Sequence, residues 1–116
     1  MLHITPEEFE ELVAQGLDSV PSDLMNMLDN VVVLVEPESS PGERTLLGLY
    51  EGVPLTSRGA NQGGMEPDRI TIFRGPTLRQ CNTHEEVVEE VRVTVIHELA
   101  HHFGIDDDRL DELGWG

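Results

Sequence analysis

Apolar and polar residues alternate along this chain with two different periods. In "ITPEEFEELVAQGL" the apolar positions Phe9, Leu12 and Val13 recur at the three-and-four spacing of one helix face. Thr5 suits the N-cap and Pro6 the first helical position, while Glu8, three residues after Thr5, completes a capping box. Gly16 is the expected end of this helix. "PSDLMNMLDN" predicts a short second helix starting near Ser22 or Asp23. The β-branched run "VVVLVEP" from Val31, stopped by Pro37, reads as a buried strand. "ESSPGER" is a loop. "TLLGLYEG", closed by Gly52 and Pro54, is a second strand, and "RITIFRG", with Ile70, Ile72 and Phe73 apolar, is a third. Between these two lies "LTSRGANQGGMEPD", which is rich in glycine and polar residues. A connection of that length is expected to be a functional or mobile loop. "PTLRQCN" reads as a connector.

The longest periodic segment is "THEEVVEEVRVTVIHELAHHFG". Thr83 can cap it, Glu86 follows three residues later, and an acidic first turn suits the positive end of the helix dipole. Val87, Val91, Val95 and Leu99, with Val88 and Ile96, form an apolar stripe. So many β-branched residues lower helix propensity, so tertiary packing has to hold the segment. Gly104 ends it, and "DDDRLDELGWG" adds one or two helical turns with Leu110 and Leu113 apolar. No repeat or domain boundary is visible. The pattern predicts a single α+β domain over residues 1–116.

Composition narrows the function. Seven basic against twenty-three acidic residues give a net charge of −16. This argues against nucleic acid or an anionic membrane as partner, since both need a basic patch, and favours solubility or a preference for cationic partners. The lone cysteine, Cys81, permits no intrachain disulfide, which fits a reducing compartment. No secretory signal or membrane-length apolar run is apparent, so a cytoplasmic location is expected. Oligomeric state is not readable.

The chemistry is concentrated near the end of the chain. His97 and His101 are four residues apart, which at 3.6 residues per turn puts both imidazoles on one helix face, able to bind one metal ion. Glu98 points about 100° around the helix, beside such a metal. This H-E-x-x-H arrangement supplies two ligands and a carboxylate placed to take a proton from the attacking water. A catalytic zinc usually takes three protein ligands. Gly104 allows a sharp turn out of the helix, and Asp107, three residues on, is the candidate third ligand. Asp106 and Asp108 compete with it, while Asp111 and Glu112 are later choices or hydrogen-bond partners of a ligand histidine.

"HELAHHFGIDD" resembles the metzincin-type consensus H-E-x-x-H-x-x-G-x-x-H, with Asp107 in place of the third histidine. With "LLGLYEGVPLTSRG" and "RITIFRGP", nearly the whole chain is similar to a small bacterial family of minimal zincin-like metallopeptidase domains. The resemblance implies a small mixed sheet packed on the active-site helix, with another helix behind. It implies Zn2+ held by His97, His101 and Asp107, Glu98 as general base, and a peptide or unfolded protein as substrate. It also implies an outer strand bordering the cleft, for which "TLLGLYEG" is the candidate.

One departure stands out. Metzincins carry a methionine-containing turn after the third ligand, and here no Met follows Asp107. The floor of the cleft is expected to be absent or built otherwise, with Leu113 and Trp115 as candidates. Tyr50 and Arg58 are conceivable oxyanion donors. His102 is expected to be exposed or to help cap the helix end, His84 and His3 to be surface residues, and Cys81 to be a small buried apolar residue rather than a zinc blocker. Two other functions compete with the peptidase. One is a metal-stabilised peptide-binding module without catalysis. The other is a zinc hydrolase of another substrate such as RNA, which the charge opposes.

Overall fold

The computed structural model describes residues 2–26, 31–39, 46–52 and 67–115. Among these, helix α1 spans Pro6–Asp18, α2 Ser22–Met25, strand β1 Val31–Glu36, β2 Gly48–Glu51, β3 Asp68–Phe73, α3 Arg74–Arg79, α4 His84–His102 and α5 Asp107–Leu113. The class is α+β, as expected. The sheet is mixed, in the order β1-β3-β2, with β1 parallel and β2 antiparallel to the central β3.

The caps form as their residue types dictate. Thr5 Oγ1 accepts from the Glu8 N–H at 3.1 Å, and Glu8 Oε1 accepts from the Thr5 N–H at 3.3 Å. At the start of α4, Thr83 Oγ1 accepts from the Glu86 N–H, but the Glu86 carboxylate reaches one residue further back, to the Asn82 N–H at 3.0 Å. Each bond satisfies an amide that the first turn of a helix or its entry would leave without a partner.

Helix α4 is the centre of the core. Val87, Val91, Val95, Ile96 and Leu99 are buried, and they meet Phe9, Leu12 and Val13 of α1 together with Ile70 and Ile72 of β3. Gly16 does not end α1; the helix runs on to Asp18 and is closed by the Ser19 N–H. Gly16 is instead buried against α4, where a Cβ would lie 2.7 Å from Val91 Cγ1. Its role is to let two helices approach closely. "PTLRQCN" is also corrected. Its first residues belong to α3, whose Pro76 sits in the opening turn, where a missing N–H costs nothing.

The expected buried strand β1 is buried on one face only. Its residues alternate between half-buried and exposed, and Val32 and Leu34 are 38% and 40% exposed. The register puts Val33, Ile70 and Tyr50 on the face covered by helices, and Leu34, Thr71 and Leu49 on the other. An unbroken apolar run cannot distinguish a strand buried on both faces from one buried on a single face.

Strand β2 lies against α4 because Gly48 has no side chain. A Cβ there would come 2.6 Å from Thr94 Cγ2 and 3.0 Å from the Thr71 carbonyl oxygen. Gly48→Ala is therefore expected to cost about 1–3 kcal/mol of stability in urea unfolding. The cost should shrink in a Thr94→Ala background, which removes the nearest atom. Equal costs in both backgrounds would show that the two elements do not press on each other there. Cys81, 3% exposed, is a core residue as expected. Burial first, and then the nearby Glu90 and Glu86 carboxylates, push its thiol up to about 11. The native chain at pH 7 should resist a thiol reagent that labels it fully in urea; rapid native labelling would place the thiol at the surface.

Candidate active site

The site grows from the C-terminal end of α4. The helix stops because Gly104 takes φ +71, a conformation costly for any residue with a Cβ. The Ile105 N–H then bonds the Ala100 carbonyl at 2.8 Å and the Gly104 N–H bonds the His101 carbonyl at 3.2 Å. This pair closes the helix as a Schellman motif. The chain turns and enters α5, whose N-cap is Asp106: its Oδ1 accepts from the Arg109 N–H at 2.8 Å. Asp106 is thereby committed to the cap. Asp107, the first residue of α5, is exposed at the mouth of the turn.

On α4, His97 and His101 are exposed one turn apart, and Glu98 beside them is half-buried. Two shallow depressions run along this end of the molecule. One, of about 230 Å3, lies between β2 and α4 and is lined by Leu46, Leu47, Gly48, Glu90, Thr94, His97 and Glu98, among others. The other, of about 350 Å3, is lined by His101, Gly104, Ile105, Asp106 and Asp107. The fold thus brings His97 to Glu98 and His101 to Asp107. Among the described residues it does not gather three His, Cys, Asp or Glu side chains into one group that could hold a metal ion.

Glu98 also makes a long-range contact that periodicity cannot foretell. Its Oε1 accepts from the backbone N–H of Tyr50, on β2, at 3.1 Å. The geometry of β2 explains why that N–H is available. The Phe73 N–H donates to the Leu47 carbonyl at 2.9 Å, so residues 47 and 73 are a hydrogen-bonded pair. Antiparallel pairs alternate, which makes Gly48 and Tyr50 the residues whose backbone N–H and carbonyl point away from β3. Among the described residues no strand lies on that side of β2. The edge strand and the carboxylate therefore share one rim.

Tyr50 and His102 are fixed by the same crossing. The Tyr50 ring stacks on the His102 imidazole with centroids 4.1 Å apart, and its hydroxyl donates to Asp68 Oδ2 at 2.6 Å. Exposed His102 is thus an aromatic partner of β2, a role with no signal in its own sequence neighbourhood. A hydroxyl turned to Asp68 is not aimed at an oxyanion, and Arg58 lies outside the described residues. Trp115 packs against the core, and its backbone N–H donates to the Leu110 carbonyl at 2.9 Å.

Two imidazoles one helical turn apart, with a carboxylate across a tight turn, suit the borderline-soft, N- and O-binding chemistry of zinc. Asp107 is the uncommitted member of the adjacent pair, because Asp106 caps α5.

A search of curated proteins finds no significant match. Among solved structures, a conserved hypothetical protein from Thermo thermophilus is similar over 86% of this chain and 94% of its own, with 30% identity and a TM-score of 0.57. The family model for zincin-like metallopeptidases matches residues 28–115, a span that includes the sheet, the long helix, the glycine turn and Asp107. The chain belongs to the zincin-like metallopeptidase family.

Proposed function

We propose that this chain is a zinc-dependent peptidase that cleaves extended or unfolded peptide segments. His97, His101 and Asp107 hold the zinc, and Glu98 is the general base. The observation that carries this reading is the contact between Glu98 and Tyr50: the carboxylate sits at the rim of β2 on which no strand lies among the described residues. A peptide added to that rim by strand pairing would run past the carboxylate.

A bound zinc would polarise the scissile carbonyl and acidify the attacking water. The protein's own part follows from the placement of Glu98. Its Oε1 is held by the Tyr50 N–H, which leaves Oε2 as the oxygen to receive the proton from the water and return it to the leaving amine. Gly48 orients the substrate backbone, since its outward-facing N–H and carbonyl are groups an added strand pairs with, while the Tyr50 N–H stays on Glu98. His101 and Asp107 line one depression and His97 and Glu98 the other, so binding one zinc through all three ligands would require Asp107 to close across the Gly104 turn. A non-catalytic, metal-stabilised peptide-binding module is the second reading. It would use the same groove between β2 and α4 to hold a peptide without cutting it.

Two sets of variants test these roles. Glu98→Gln should keep one zinc per chain by elemental analysis while hydrolysis of a peptide library falls by about 10²–10⁴-fold. Loss of the metal, or retained hydrolysis, would remove Glu98 from the base role, and zinc binding without cleavage by the unaltered chain would favour the binding module. Asp107→Ala should weaken zinc at least tenfold in a chelator competition. Asp106→Ala should instead cost about 1 kcal/mol of stability with zinc affinity retained. The reverse pattern would make Asp106 the ligand.

A further inference from the structure

The depression between β2 and α4 extends well beyond His97 and Glu98, and its far end has a composition of its own. Leu46 and Leu47 form one wall, and Val93 lies opposite on α4. At the end of this apolar stretch is Glu90, which is half-buried. No hydrogen bond or ion pair to Glu90 occurs among the described residues, whereas its neighbour Glu89 is paired with Arg92 at 2.9 Å. The closest acidic neighbour along the same side is Glu86, whose carboxylate is engaged by the Asn82 N–H.

We infer that this end of the groove is a subsite for an arginine or lysine side chain of an extended peptide, with Glu90 as its specificity-determining residue. The inference rests on the peptidase reading for the direction of the peptide, and its chemistry stands on the groove. Lysine and arginine are long aliphatic stems with a charged tip, and they favour sites where the stem lies on apolar surface and the tip meets an anion. Leu46, Leu47 and Val93 supply the surface, and Glu90 supplies the anion. A half-buried carboxylate without a cationic partner gains more from such a tip than a solvated one, because screening there is weaker. The net charge of −16 also draws cationic peptides toward the chain.

The spacing places the subsite on the substrate. Glu90 precedes His97 by seven residues and Glu98 by eight, which is about 10–12 Å along a helix. An extended peptide advances roughly 3.3 Å per residue. The cationic residue therefore lies about three positions from the bond that Glu98 serves.

The test uses the full chain and blocked, extended peptides of one sequence carrying Arg, norleucine or Glu at a single walked position. Binding is read by fluorescence anisotropy and cleavage by mass spectrometry, with zinc present. The Arg peptide should bind about tenfold more tightly than the norleucine peptide, and this preference should fall below twofold in Glu90→Gln and turn toward the Glu peptide in Glu90→Arg. Where cleavage occurs, the preferred Arg should map about three residues from the cut. A preference that survives Glu90→Gln, or the absence of any preference, would overturn the subsite even if peptides are cleaved. A preference abolished by Glu90→Gln, with no cleavage by the zinc-loaded chain, would uphold the subsite and defeat the peptidase reading. Absence of both binding and cleavage would overturn both.

Discussion

The distance between the edge strand and the long helix is set by the contact of Gly48 with Thr94, and the rest of the site depends on it. A strand and a helix usually keep their side chains between them. Here one side chain is missing, and the backbone of β2 comes down onto α4. That approach brings the Tyr50 N–H within hydrogen-bonding reach of Glu98 and the Tyr50 ring onto His102. It also makes one groove of the strand rim and the helix face. The helix itself is rich in β-branched residues and would be a weak helix alone. Its burial against α1, where Gly16 allows an equally close approach to Val91, supplies what propensity does not.

The large negative charge is divided among distinct tasks. Glu8, Glu86 and Asp106 hold backbone amides at helix starts or entries. Glu38, Glu89 and Glu112 face Arg79, Arg92 and Arg109 in ion pairs that are mostly exposed and so contribute little stability. Glu98 is held at the strand rim. Two carboxylates in the cleft region remain without such an assignment: Asp107, exposed at the glycine turn, and Glu90, half-buried at the far end of the groove. Chemistry is proposed for both of them, because an anion without a local structural partner is available to a cation from outside.

Much of this architecture was legible from residue order because the signals are local. The capping box at Thr5, the N-cap at Thr83, the stripe from Val87 to Leu99 and the exit at Gly104 each depend on residues within one or two turns. The H-E-x-x-H spacing is likewise local, since helix geometry alone puts His97 and His101 on one face. Where expectation and structure part, the deciding partner is distant in sequence. Gly16 reads as a stop until Val91 stands opposite it. The run from Val31 reads as fully buried because composition does not count how many layers cover a sheet. The α3 turn was hidden by Gly75 and Pro76, residues that punctuate a chain in isolation but are tolerated in a first helical turn.

Residue order by itself determined the α+β class, the helix that carries both imidazoles and the acidic residue between them, because these follow from backbone periodicity and caps. It also supplied the glycine that turns the chain toward Asp107. Tertiary structure alone decided that Tyr50 would hold Glu98, that Asp106 rather than Asp107 would cap the last helix, and that Glu90 would share a groove with the strand rim. The first two of these choices could not be read from spacing, because one joins residues forty-eight positions apart and the other distinguishes adjacent aspartates by a single hydrogen bond. Both are settled by which groups the folded chain brings within about 3 Å of one another.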